Sequence, residues 1–164
     1  MGAVYRARQL RMGRDVAIKV LTQGLGSDER AVRRFEREAR VASMLRHPNT
    51  IVTYDFGISS SGLYLVMELL QGVTLAQRIK EVGTLSPDVV AQIGIEVASS
   101  LAEAHTEGIV HRDLKPANVF LHQVHGMEVV KVLDFGIARF VAEDAAVSQM
   151  NALKYQTSQV GDKR

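Results

Sequence analysis

The sequence contains no cysteine, which excludes disulfides and thiolate metal sites. It also lacks an excess of one charge. Twenty basic residues stand against 18 acidic ones, too even a balance for a nucleic-acid-binding face. Arg30, Arg33, Arg34, Arg37 and Arg40 gather locally, but Glu29, Glu36 and Glu38 interrupt them, as on a solvated helix face. Long apolar runs are missing too, since Val89 to Leu101 is broken by Gln92, Gly94, Glu96 and two serines. The N-terminus has no signal-peptide pattern, and Arg6 stands where a myristoylation signal needs Ser or Thr. These absences predict a cytoplasmic segment with no nucleic-acid partner and no membrane contact. At 164 residues there is material for one core, or for two small lobes sharing one.

The first third alternates in the manner of strands. Val4–Ala7 and Val16–Val20 read as a pair joined by a turn at Met12-Gly13. After the flexible Gln23–Gly26 stretch, Ser27-Asp28-Glu29 signals a helix start, and Phe35, Ala39, Ala42 and Leu45 recur at helical spacing. His47-Pro48 ends that helix. Strands follow over Ile51–Phe56 and Leu63–Met67, around a turn at Ser59–Gly62. Thr74 to about Lys80 reads as a short helix. A longer one starts at Ser86-Pro87-Asp88 and turns Val90, Ile93, Val97 and Leu101 inward. Val119–His122 and Val129–Leu133 read as two short strands around Gly126. Strands with one helix, followed mostly by helices, predict an α+β chain of two unlike layers with a hinge at residues 68–72.

Chemistry concentrates in His111-Arg112-Asp113-Leu114-Lys115-Pro116-Ala117-Asn118, with Asp134-Phe135-Gly136 following. A lone Asp or Asn is ordinarily a turn residue, but eight positions in one run with a second motif behind them are not explained that way. The pair resembles the catalytic loop and magnesium-binding loop of protein kinases, and Lys115 resembles their Ser/Thr branch. Asp134–Arg139 and the long segment after it are similar to the bacterial, eukaryotic-like Ser/Thr kinases. The resemblance extends from Gly2 to about Gly161 and implies a bilobal kinase fold. A small β-rich lobe with one helix would occupy residues 1–67, and an incomplete, mostly helical lobe residues 73–164.

It also implies an activity: transfer of the γ-phosphoryl of Mg-ATP to a Ser or Thr hydroxyl of a protein. Phosphoryl transfer demands positioning and charge neutralisation more than covalent help. Asp113 would be the base and Lys115 would reach the transferred group. Asn118 and Asp134 would offer hard oxygens to Mg2+. In Val16-Ala17-Ile18-Lys19, Lys19 would grip the α- and β-phosphates, held by a glutamate of the following helix. Taken alone, a lysine ending an apolar strand is commonly a snorkelling edge residue. Glu36 and Glu38 both compete for the glutamate's role; Glu38 is favoured because it adjoins the apolar stripe at Phe35 and Ala42. Gly2 would close a glycine-rich loop over the phosphates. Val4, Ala17 and Phe120 would sandwich the adenine, Met67 would back the pocket, and Glu68 and Leu70 would offer backbone groups to the adenine edge.

Further implications concern regulation. Arg112 would pair with a phosphorylated activation segment, where Thr157 and Ser158 are better placed acceptors than Ser148. Two copies would meet for trans-autophosphorylation. His111 reads as a packing residue beneath Phe135, and His122 and His125 share a hairpin without further metal ligands. In the family, sequence beyond Gly161 continues into the peptide-holding segment and further helices. A chain ending at Arg164 would leave the long helix under-covered, and is expected to be marginally stable and a poor enzyme. The alternative reading is a nucleotide-binding or scaffolding fragment without turnover.

Overall fold

The computed structural model describes residues 3–21, 29–60 and 62–135. Gly2, the Ser27-Asp28 helix start, Gly136, Ser148, Thr157 and Ser158 lie outside them.

Strands β1 (Ala3–Gln9) and β2 (Arg14–Val20) form a hairpin in which Val4 faces Lys19. Its turn closes on Gly13, whose φ of +66° is open to a residue without Cβ. Helix α1 (Glu29–Ala42) comes next, then β3 (Thr53–Ser59) and β4 (Gly62–Glu68). The four strands form one antiparallel sheet in the order β1-β2-β4-β3. The apolar stripe of α1 explains how the helix seats. Phe35 and Ala39 are fully buried, and with Ala42 and Leu45 they join Ala17, Leu63, Leu65 and Met67 in one cluster. Phe35 meets Phe56 edge-on, with ring centres 6.2 Å apart.

The chain then forms β5 (Gly72–Thr74), α2 (Leu75–Val82) and α3 (Pro87–Thr106). Thr74 and Gln77 cap α2 reciprocally, so two of its orphan N–H groups are satisfied within four residues. Strands β6 (Val119–Val124) and β7 (Met127–Val132) complete a second antiparallel sheet, β5-β6-β7. Ile93 of α3 packs with Val119, Leu121 and Val130 beneath it. The two sheets are stitched together by the segment before β3. There the Ile51 N–H donates to Val132 O at 3.0 Å, and the Val132 N–H donates to Asn49 O at 2.7 Å.

Gly72 is fixed by the close pairing of β5 with β6. Its φ is +130°, and a Cβ there would sit 2.1 Å from the Leu121 carbonyl oxygen. Backbone cannot yield as a side-chain tip does. Gly72→Ala is therefore expected to cost at least about 1–3 kcal/mol, visible as a lowered thermal midpoint.

Several expectations are corrected. β3 begins at Thr53 rather than Ile51, because residues 49–51 bond instead to β7. Val90 does not turn inward. It is 54% exposed, and burial along α3 starts only at Ile93 and continues through Ser100 and Ala104. Residues 87–92 of α3 are exposed throughout, so among the described residues nothing covers that first stretch. No helix among the described residues is long and apolar enough to cross a membrane.

Candidate active site

The β6–β7 hairpin explains why Asn118 and Asp134 stand sixteen residues apart. Val119 pairs with Val132, and one step beyond that pair the Leu133 N–H donates to Asn118 O at 2.9 Å. The residues flanking the hairpin mouth are thereby adjacent. Asn118 spends its side-chain N–H groups on Asp113, at 2.8 Å to the carbonyl and 3.0 Å to the carboxylate. Its amide oxygen is what remains to offer outward.

Asp113 is gripped from both sides. The Lys115 ammonium donates to both carboxylate oxygens, at 3.0 and 2.8 Å. That hydrogen bond is the chief reason the Asp113 carboxyl is held below its ordinary value of 3.8; it outweighs partial burial, and Asn118 adds to it. Asp113 is thus an anion across the neutral range. The stability it contributes is present above its unfolded pKa and is lost as pH falls through the lower folded one. Removing the ammonium with Lys115→Ala is expected to move the Asp113 titration to higher pH, read by NMR of its carboxyl carbon.

His111 supports this loop from below. It is 3% exposed and its ring lies 4.8 Å from that of Phe135, as the sequence predicts. Nδ1 accepts from the Asp113 N–H at 3.3 Å, so Nε2 carries the proton and donates to Leu133 O at 2.7 Å. With both nitrogens engaged, it positions Asp113 and Leu133 rather than exchanging protons. Arg112 and Asp134 have φ of +63° and +57°. Each left-handed non-glycine residue costs about 1–3 kcal/mol, which such a bonded surround can sustain.

From the other sheet, Lys19 reaches down to Asp134, 2.6 Å away, in an ion pair whose side chains are 15% and 19% exposed. The register puts Val4 opposite Lys19 and Ala17 opposite Met67, so all four side chains share one face of the sheet. Phe120 lies on the second sheet, in β6, half-buried. Leu70 lies between β4 and β5, and Glu68 ends β4. Glu38 is half-buried on α1 and lines a cavity of about 410 Å³ with Arg34, Arg37, Val41, Arg112 and Phe135.

Sequence reasoning missed Lys131. It is 8% exposed in β7, and its ammonium bonds the Glu68 carboxylate at 2.8 Å. Glu68 Oε1 also accepts from the Val52 N–H at 2.8 Å. A lone charged residue in a valine-rich strand, Val129-Val130-Lys131-Val132, was the available signal.

A strand lysine, a loop carboxylate clamped by lysine and amide, and a second carboxylate at a hairpin mouth are thus held on one two-sheet scaffold. The protein kinase domain family model matches residues 1–161, and the chain belongs to that family. It is 46% identical over 141 residues to serine/threonine-protein kinase pkn3 of Myxococcus xanthus, covering 85% of this chain and 26% of that protein. With serine/threonine-protein kinase PknB of Mycobacterium leprae it shares 38% identity over 157 residues, 93% of this chain and 25% of that protein. The crystal structure of the Mycobacterium tuberculosis PknI kinase domain superposes with a TM-score of 0.74 at 33% identity, covering 84% of this chain and 54% of that one. The chain therefore spans about a quarter of the curated relatives and about half of the solved kinase domain.

Proposed function

We propose that the protein is a serine/threonine kinase that transfers the γ-phosphoryl of ATP to a Ser or Thr hydroxyl of a protein substrate. The observation carrying this reading is the convergence of Lys115 and Asn118 on the Asp113 carboxylate, beside Asp134 and Lys19. Asp113, kept anionic, accepts the proton of the incoming hydroxyl. Lys115 lies within reach of both that carboxylate and the group in transfer. Lys19 grips the α- and β-phosphates, and Glu38 on α1 is the residue proposed to hold it.

The donor set fits a hard divalent cation: one carboxylate from Asp134 and one amide oxygen from Asn118, with no sulfur or imidazole in it. Mg2+ held there would supply neutralising charge to the phosphate oxygens. Val4, Ala17 and Phe120 would hold the adenine, Met67 would back it, and Gly2, outside the described residues, would cover the phosphates. Because the Glu68 N–H is engaged by Val52 O at 3.0 Å, Glu68 offers the adenine edge its carbonyl, and Leu70 offers the next backbone group.

Arg112 shares its cavity with Arg34 and Arg37, which supports a docking role for a phosphorylated Thr157 or Ser158. Two copies meeting in the cytoplasm would phosphorylate one another there. The test of the whole reading is transfer from γ-labelled ATP to a protein acceptor by the full-length protein. Label on Ser or Thr that disappears in Lys19→Met supports it; nucleotide binding without any transfer defeats it in favour of a scaffold.

A further inference from the structure

α1 carries Glu38, and its C-terminal end is fastened to the other sheet's helix by a single carboxylate. Beyond Ala42 the chain tightens, with the Leu45 N–H donating to Ala42 O at 3.3 Å. The next two backbone N–H groups then both point at Glu103 of α3. Arg46 N donates to its two oxygens at 3.1 and 3.2 Å, and His47 N donates to Oε2 at 2.9 Å. These partners are 56 and 57 residues apart in sequence. One turn of α3 nearer the sheet, Ser100 bonds Thr50 side chain to side chain at 2.7 Å, fully buried. Two turns back, Glu96 accepts from the Asn49 amide at 2.9 Å and from the Val130 N–H at 3.0 Å. One face of α3 therefore holds the whole 46–50 segment, and Glu103 holds its α1 end.

We propose that Glu103 is a positioning residue for phosphoryl transfer. Its carboxylate is the fixed point from which α1 is carried, and so it sets where Glu38 stands relative to Lys19. The charge matters. A carboxylate takes two converging N–H donors at once, in bonds stronger than neutral ones, whereas a carboxamide presents one oxygen and turns a donor toward donors. The inference rests on the reading that Glu38 acts on Lys19.

A double-mutant cycle in the full-length protein tests it. Glu103→Gln alone lowers kcat/KM for ATP about 2- to 30-fold, the range for positions that act through another residue. In a Glu38→Gln background the same change is expected to cost less than about 2-fold, because the residue it positions is gone. Equal factors in both backgrounds overturn the proposal and make Glu103 a purely structural bond. If Glu38→Gln by itself leaves transfer unchanged, the Glu38 reading fails instead, and amide hydrogen exchange then decides on Glu103. Faster exchange across residues 29–42 in Glu103→Gln, with β6 and β7 unchanged, keeps Glu103 as the tether of α1; unaltered exchange there removes it. If the glutamine variant does not fold, Glu103→Asp, one methylene too short to span both donors, is put through the same cycle.

Discussion

Asn at position 113 is expected to lower kcat by about 10²–10⁴-fold while leaving the KM for ATP nearly unchanged. The substitution is nearly isosteric. With its amide oxygen in the place of Oδ2 it still accepts from Lys115 and Asn118, at 2.8 and 3.0 Å, and only the second Lys115 bond, to Oδ1 at 3.0 Å, is lost. The backbone bond from the Asn118 amide to the residue 113 carbonyl, 2.8 Å, is untouched. His111 continues to accept from the residue 113 N–H and to donate to Leu133 O. What vanishes is the anion, and with it the acceptor for the hydroxyl proton. The effect should therefore appear in the chemical step and not in nucleotide binding, a pattern that marks an interaction made in the transition state. Steady-state transfer assays at saturating ATP, alongside a melting curve, separate the two. A variant retaining more than a tenth of the wild-type kcat with an unchanged melt would remove Asp113 from the role of base.

That prediction rests on residues legible in sequence, and the reason is local. Asp113, Lys115 and Asn118 lie within six residues, so one loop brings them together. The hairpin that brings Asp134 to Asn118 is announced by two short apolar strands around Gly126. The strand and helix order was legible for the same reason, since periods of 2 and 3.6 are properties of neighbours along the chain. Contacts between distant segments leave no such trace. Glu103 lies on a helix where its carboxylate reads as one more solvated charge, and only the fold turns it toward Arg46 and His47. Val90 fails in the opposite direction. The stripe it belongs to is genuine, but a periodic pattern does not say where along a helix the neighbouring layer begins, and here it begins at Ile93. Glu68 was legible only for its backbone, because its side-chain partner sits 63 positions away.

That partner carries the second large effect. Lys131→Met is expected to destabilise the fold by about 3–5 kcal/mol, the cost of breaking a buried ion pair from one side. The side chains of Lys131 and Glu68 are only 11% and 18% exposed, so solvent does little to compensate a carboxylate left alone. Methionine fills the lysine's volume without a cavity, which isolates the charge from the packing. At a chain of this size the loss corresponds to a fall in thermal midpoint of about 6–20 °C. The origin of the cost is separable. Glu68→Gln in the Lys131→Met background removes the stranded charge yet keeps an oxygen for the Val52 N–H, which Glu68 Oε1 accepts at 2.8 Å. The double variant should recover at least half of the lost stability. If Lys131→Met alone costs under about 1 kcal/mol, the pair behaves as a surface one and the premise of burial is wrong. The pair also ties β7, which leads directly into Leu133 and Asp134, to the end of β4, which leads into Leu70. A weakened tie should therefore raise the KM for ATP, because the backbone proposed to meet the adenine edge and the carboxylate proposed to face the phosphates would no longer be held in one frame.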